Sequence, residues 1–421
     1  MAENLPPDLD LADRLFARLA EIGFDGVGIT REAYGPGERL AHALIAEEAR
    51  ALGLEIRQDP VGNQYVTLPG ADRTRPAILL GSHLDSVVQG GNYDGAAGVV
   101  AGMAAVSAMA RAGYRPAQDV TVMCIRAEES GSWFPTSYPG SRAALGLLPA
   151  ADLALARRDD GRSLAEHMRA EGFDPGFVER GERFLSPANV AAFLELHIEQ
   201  GPVLEGAGVP VGIVTGIPGS RRFRSARVIG EYNHSGATPR RFRRDAAVAL
   251  AELVYRLDDH WAELEASGCR LVCTFCEMAT TEEAGFTRIA GEARFSLDVR
   301  SLEMAHCDAV IARLHALIAE IEARRGVRFE LGPESGSRPA PMDAALRAGL
   351  SRAAEAAGVP AIPIASGAGH DAAAFVQAGI PAAMLFVRSQ NGSHNPAESM
   401  RREDFAAACR VIMAWLAEVT R

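Results

Sequence analysis

In the stretch Gly81-Ser82-His83-Leu84-Asp85-Ser86, an imidazole and a carboxylate stand two residues apart, just after the apolar run Ala77-Ile78-Leu79-Leu80. Such a run, entered from Pro76, reads as a buried parallel strand, and residues two apart on extended chain share a face. That spacing suits a histidine that binds a metal through one ring nitrogen while an acid, Asp85, holds the other. Asp94 follows in Gly90-Gly91-Asn92-Tyr93-Asp94-Gly95 and opens a small-residue helical pattern over 95–110. A carboxylate there lies beside the free amides of a helix N-terminus. Singly, each of these residues is as much at home in a polar loop, so the case for chemistry depends on the rest of the chain.

Three more apolar runs end in the same residue types. The run 120–125 leads into Arg126-Ala127-Glu128-Glu129, where adjacent carboxylates on extended chain point to opposite sides, one toward a metal and the other toward a substrate. The run 192–196 ends at His197, ahead of Glu199-Gln200-Gly201-Pro202, and 382–387 leads into Asn391-Gly392-Ser393-His394-Asn395-Pro396. In open α/β sheets, ligands collect outside the carboxyl ends of the strands. Four runs that each deliver such a group to one sheet edge outweigh four solvated loops. We therefore take His83, Asp94, Glu129, His197 and His394 as metal ligands. Nitrogen and oxygen donors without thiolate suit zinc, manganese, cobalt or nickel in a catalytic site. Five protein ligands exceed the three usual for one catalytic zinc. Two divalent ions bridged by Asp94 and a water would use them all.

The elements that must hold these residues follow from periodicity. Apolar spacing of three and four predicts helices over 9–22 and 37–52, and 54–56 with 64–68 read as a hairpin across Pro60-Val61-Gly62-Asn63. Beyond them strands alternate with helices, which predicts an α/β fold with a mixed sheet and helices on both faces.

The bulk properties agree. At 421 residues, 48% hydrophobic and 23% charged, the chain is long enough for two domains. A formal charge of -11 argues against nucleic acid or an anionic membrane as partner, and the short Arg240–Arg244 cluster reads as a solvated or interface face. Residues 96–110 are the most apolar stretch but fall short of the ~20 needed to span a bilayer. The first residues lack a basic and apolar leader. Six irregularly placed cysteines read as reduced thiols, so a cytoplasmic location is expected. Cys269, Cys273 and Cys276 sit in a strand-like run without a second cysteine pair, a poor pattern for structural zinc.

The chain resembles the metal-dependent amidohydrolases of the hydantoinase/carbamoylase group, within the metallopeptidase-like family of aminoacylases and dipeptidases. That group includes N-carbamoyl-L-amino-acid hydrolases, allantoate amidohydrolases and β-ureidopropionases. The residues that carry the resemblance are GSHLDSVVQGGNYDGAAGVVAG (81–102), AEESGSWF (127–134), ELHIEQGPVLE (195–205), GEYNHSGATP (230–239) with Arg243 and Asp245, FSLDVR (295–300), SGAGHDA (366–372) and GSHNPAE (392–398). They span nearly the whole chain in order.

The resemblance implies that His83, Asp94 and His197 hold one metal ion and Asp94, Glu129 and His394 the other, zinc first among the candidates. It makes Glu128 the general base and Asp85 the outer partner of His83. It further implies a lid and dimerisation domain inserted at 215–335 between catalytic segments 1–214 and 336–421, and hence a homodimer. Within the insert the pattern predicts strands over 223–229, 269–278 and 293–299 and helices over 244–267 and 304–325. From it, His234 would polarise the scissile carbonyl and Arg300 would bind a substrate carboxylate. Gln200, Thr287 and Ser220 complete the implied substrate contacts. His197 in place of a carboxylate ligand points to the carbamoylases rather than the peptidases. The activity implied is hydrolysis of a linear C–N amide bond in a small molecule such as an N-carbamoyl amino acid. The alternative is an N-acyl amino acid deacylase or dipeptidase. Three positions depart from the group: Thr287 where Asn is common, Ser220 where allantoate-cleaving relatives carry Gln, and Trp133 where Arg is usual. Trp133 suggests a bulkier or more apolar substrate than allantoate.

Overall fold

The runs 77–83, 120–125, 190–198 and 382–387 are apolar without alternation, the pattern of strands covered on both faces. In the computed structural model, which describes residues 5–129 and 131–421, they form four adjacent parallel strands. The sheet to which they belong has eight strands: β1 (Glu55–Gln58), β2 (Gln64–Leu68), β3 (Ala77–His83), β4 (Val120–Ile125), β5 (Val190–Ile198), β6 (Val211–Val214), β7 (Ala361–Ile364) and β8 (Ala382–Val387). Their order is β1-β2-β4-β3-β5-β8-β6-β7. β4, β3, β5 and β8 run parallel, the β1–β2 hairpin pairs antiparallel with β4, and β6 pairs antiparallel with β8. The mixed sheet matches the expectation.

Chain contacts divide the protein into two units, one running to Thr215 and resuming at Pro341, the other spanning Gly216–Ala340. In the first, Ile78, Leu80, Val122, Leu194 and Leu196 face the helices Leu9–Glu21, Ala96–Arg111 and Arg402–Val419. Phe193, which points the other way by strand alternation, stacks on Phe375 of the helix Ala372–Gln377 at 3.8 Å. Helices therefore cover both faces. The helix Ala96–Arg111 can lie close on the sheet because its inner residues are small: a Cβ on Gly98 would come within 2.3 Å of the Leu196 carbonyl. Burying this Ala- and Val-rich face stabilises the unit by about 0.8 kcal/mol for each methylene-sized group removed from water.

The second unit has its own core. Val272–Thr280, Glu292–Ser301, Gly219–Ile229 and Arg328–Glu330 form an antiparallel sheet in that order, with Glu334–Ser337 also paired to Gly219–Ile229. Leu250, Leu253 and Leu257 of the helix Ala246–Ala266 pack with Leu314, Leu317 and Ile321 of Met304–Arg325 over Phe295 and Val299. Their spacing of three and four puts each set on one helical face.

One expectation fails. Trp133 is 3% exposed and belongs to a core cluster with Tyr34, Phe134 and Leu148. Its indole N–H donates to the Ser86 carbonyl at 2.8 Å, and the Arg157 guanidinium lies 5.6 Å from its ring. Trp133 is a packed core residue, not a wall against a bulky substrate.

Candidate metal centre

Because β4, β3, β5 and β8 are parallel, their carboxyl ends share one edge, and the residues that follow them meet there. His83 ends β3, buried, with Nδ1 at 3.2 Å from Asp85 Oδ1 and 3.1 Å from the Asp85 carbonyl. A proton on Nδ1 satisfies these oxygens and leaves Nε2 as a lone pair. That Nε2 is buried without a hydrogen-bond partner, 3.6 Å from Asp94 Oδ1 and 3.8 Å from Glu128 Oε2. His197 on β5 repeats the arrangement: Nδ1 is 2.9 Å from the Ile198 carbonyl and Nε2 is 3.0 Å from Asp94 Oδ1. Gly95 is needed at this point. It has φ +65°, and a Cβ there would lie 2.4 Å from the His83 ring.

Asp94 spans two groups of donors. Its Oδ1 faces His83 and His197, while Oδ2 lies 3.4 Å from His394 Nε2. His394 Nε2 is in turn 3.6 Å from Glu129 Oε1. Potential ligand atoms of His83, Asp94 and His197, and likewise of Asp94, Glu129 and His394, all lie within 4.8 Å of one another; so do those of His83, Glu128 and Glu129. Cys269, Cys273 and Cys276 join no such group among the described residues. Two imidazole lone pairs aimed at a shared carboxylate, with more carboxylates behind, form a hard nitrogen–oxygen set that fits divalent metal ions.

Electrostatics point the same way. Buried acids crowd the site, and uncompensated buried charge is costly. Burial pushes the Glu129 carboxyl up to about 8, with Asp94 adding to the shift and His394 opposing it. Burial also raises Glu128 well above the carboxylate range, against the attraction of His83 and with repulsion from Glu129. Burial disfavours the His83 imidazolium, yet Glu128, Asp85 and Asp94 raise its pKa well above the ordinary value. The cluster draws positive charge, whether as protons or as metal.

The backbone around the cluster is braced. Asp85 accepts from the Glu128 and Glu129 amides, each at 3.0 Å. Glu398 accepts from the Tyr93 and Asp94 amides at 3.0 and 3.1 Å and from the Ser393 hydroxyl at 2.6 Å. Glu195 accepts from Ser82 Oγ and the Ala372 amide. Gln200 Nε2 donates to Asp94 Oδ2 at 2.8 Å, and Ser393 Oγ lies 2.8 Å from the same oxygen. Ala127, Gln200, Asn391 and His394 all have positive φ, between 57° and 65°. Non-glycine residues adopt that conformation at some cost, and it gathers at functional sites. Glu195 and Glu398 lie inside recognisable motifs yet were not singled out from the sequence. The signal was a second acid beside each histidine.

The remaining candidates lie in the second unit as two pairs. His234 is exposed, opposite Arg288 on a two-stranded ribbon, and Ser235 next to it donates to the Thr287 carbonyl at 2.9 Å. Its Nδ1 accepts from the Gly236 and Ala237 amides at 3.1 and 3.0 Å, which leaves Nε2–H as a donor. Arg300 and Ser220 are cross-strand partners. Arg300 donates through Nε and Nη2 to Asp298 Oδ2, and the buried Ser220 hydroxyl is 3.0 Å from that of Ser337.

Residues 79–418 match the family model of peptidase family M20/M25/M40. The chain belongs to this family. Among M20/M25/M40 relatives, an N-carbamoyl-L-amino acid amidohydrolase of Geobacillus stearothermophilus is 36% identical over 406 residues, 95% of this chain and 96% of the relative. An allantoate amidohydrolase of Bacillus subtilis is 36% identical over 377 residues, 88% of each chain. A hydantoinase/carbamoylase family amidase from Burkholderia ambifaria has a solved structure that superposes with TM-score 0.85 at 31% identity, covering 99% of this chain and 98% of the other. The M20/M25/M40 fold thus extends over both units of this chain.

Proposed function

We propose that this protein hydrolyses the linear C–N amide bond of an N-carbamoyl amino acid or a closely related ureido acid. The observation that carries this reading is the set formed by buried His83, Asp94, Glu128, Glu129 and His197 with the exposed His394, in a chain similar over nearly its full length to an N-carbamoyl-L-amino acid amidohydrolase. The proposed ligands are His83, Asp94 and His197 for one divalent ion and Asp94, Glu129 and His394 for a second, with Asp94 shared. Such ions, zinc foremost and manganese, cobalt or nickel as substitutes, lower the pKa of a water and polarise a carbonyl.

The rest of the mechanism belongs to side chains. Glu128, poised by burial to hold a proton, takes one from the attacking water and delivers it to the leaving nitrogen. Asp85 orients His83 and, through the Glu128 amide, the base as well. His234 donates its Nε2 proton as a hydrogen bond to the carbonyl oxygen as negative charge develops there. Arg300 forks onto the substrate carboxylate, with Gln200, Thr287 and Ser220 proposed as further contacts. One water is consumed, and the products are the free amino acid and a carbamate, which decomposes to carbon dioxide and ammonia.

We also infer a homodimer through the second unit. Val272–Thr280 is an edge strand. Beside it and the helix Ala246–Ala266 lies an apolar cleft of about 820 Å³, with Tyr255 and Met278 exposed along it. An unpaired edge next to exposed apolar side chains suits pairing with a second copy. The six free thiols suit a cytoplasmic setting.

The test is a panel of N-carbamoyl, N-acetyl and N-formyl L- and D-amino acids, β-ureidopropionate and allantoate, offered to stripped enzyme reloaded with zinc, manganese, cobalt or nickel. Ammonia and amine released together from carbamoyl substrates alone support the proposal. Amine without ammonia from acyl substrates replaces it with a deacylase.

A further inference from the structure

We propose that Glu38, on the helix Pro36–Ala51, is a positioning residue that sets the direction of Glu128 by clamping the peptide just ahead of it. The inference rests on the reading above only for the role of Glu128.

Glu38 is fully buried, and its two oxygens do separate things. Oε1 accepts from the Ala127 amide at 2.7 Å. Oε2 accepts from the Tyr34 amide at 2.8 Å and from Arg126 Nη1 at 2.9 Å. Ala127 has φ +57°, which a residue with a Cβ seldom adopts without outside support. The next two amides, of Glu128 and Glu129, go to the two oxygens of Asp85. Three successive amides are thus accepted by two buried carboxylates from different parts of the chain, and the side chain aimed by that turn is the proposed base.

An ion pair with Arg126 alone would not need this geometry. Arg126 is held independently, its Nε donating to the Gly62 carbonyl and its amide to Asn63 Oδ1, both at 2.9 Å. It takes up only one Glu38 oxygen, while the other is committed to Ala127. Removing the carboxylate therefore leaves Arg126 tethered and frees Ala127 to relax toward ordinary φ, which rotates the peptide that leads into Glu128. Glu38 also lies ahead of residues 79–418, the span of the family match, whereas Asp85 and Glu128 lie within it. The N-terminal segment would then be part of the machinery that aims the base, and not merely a cover for the sheet.

The test is E38Q and E38A, each made in the wild-type chain and in E128Q, with steady-state kinetics on whichever panel compound wild type cleaves, metal content, and amide hydrogen exchange by mass spectrometry. The expected result is a fall in kcat of about tenfold or more with KM within about twofold and metal content unchanged. That loss should vanish in the E128Q background, because a residue acting through Glu128 has nothing left to position. Faster exchange should be confined to the peptide spanning 124–129. A kcat within about twofold of wild type, or an equal loss in both backgrounds, overturns the proposal. If wild type cleaves nothing on the panel, the functional reading fails by itself and exchange decides: a local increase at 124–129 supports the clamp, while no change or a global increase overturns it.

Discussion

The two units carry several of their candidate residues in opposite ways. In the first, His83, Asp94, Glu128, Glu129 and His197 are buried, and Asp85, Glu195 and Glu398 brace the chain that bears them. In the second, His234 and Thr287 stand on an exposed ribbon, and Phe286 between Gly285 and Thr287 is 102% exposed. Metal and proton chemistry tolerates little misplacement, so its residues are over-determined by hydrogen bonds. Groups that choose or grip a substrate can sit on a turn, where replacement disturbs few neighbours. Two of the departures from the carbamoylase pattern, Thr287 and Ser220, fall in the second unit. The third, Trp133, falls in the first and is structural.

The largest effects are expected at Glu128 in the first unit and His234 in the second. Replacing Glu128 by Gln removes the base without changing shape, and kcat should fall by about 10³-fold with metal content, read by elemental analysis, near two ions per chain. Loss of metal instead would make Glu128 a ligand, which its proximity to His83 and Glu129 makes a real contest. His234→Ala should cost about 10²-fold in kcat, the scale for one oxyanion donor. Because the His234 side chain is exposed and its hydrogen bonds among the described residues come from its own turn, thermal stability and metal content should not move. A destabilised His234→Ala variant would mean that the second unit is as tightly braced as the first.

A smaller effect should appear in the metal-free protein as pH changes. Glu129 is pushed up to about 8, chiefly by burial, and His394 to about 9, chiefly by its hydrogen bond to Asp94. In an unfolded chain these groups lose their protons near 4.3 and 6.5 or so. Between those values the folded state binds more protons than the unfolded one, so stability falls as pH rises. Metal-free protein should therefore melt at progressively lower temperature from about pH 5 to about pH 9. Metal displaces these protons, so its stabilising effect should grow over the same range. Melting curves with and without zinc check both slopes. Parallel curves would mean that the buried acids are not the metal's binding groups.

How far this was legible in the sequence follows from the same contrast. The proposed ligands could be read because His83, Glu129, His197 and His394 follow apolar runs whose ends parallel strands place on one edge, with Asp94 at the start of the helix that follows the first of them. The helix at 304–325 and the strand near 293–299 were legible from their apolar spacing, and the structure has them at Met304–Arg325 and Glu292–Ser301. Glu38 was not legible. It is one acid among several on an amphipathic helix, and its partner Ala127 is far along the chain. A buried role for such an acid shows only once tertiary structure brings a donor to it. Trp133 was misread for the converse reason. A Trp where the group usually carries Arg suggests a more apolar substrate space, but a departure from a family pattern does not show whether the side chain faces a substrate or the core, and here it joins the core.

The smallest predicted effect separates those two readings of Trp133. Trp133→Phe keeps an aromatic ring in the cluster with Tyr34 and Phe134 but deletes the indole N–H that the Ser86 carbonyl accepts at 2.8 Å. The lost bond should cost about 1 kcal/mol, toward the upper end of the usual range if the carbonyl stays dry. Ser86 directly follows Asp85, so loosening it could reach the metal site, but Arg31 holds the same loop. Its amide donates to Ser86 Oγ at 2.9 Å and its Nε to the Leu84 carbonyl at 2.8 Å. Denaturant unfolding should therefore register the loss, while the ranking of substrates across the carbamoyl panel stays as in wild type. A changed ranking at unchanged stability would return Trp133 to the substrate and place a specificity residue in the braced unit.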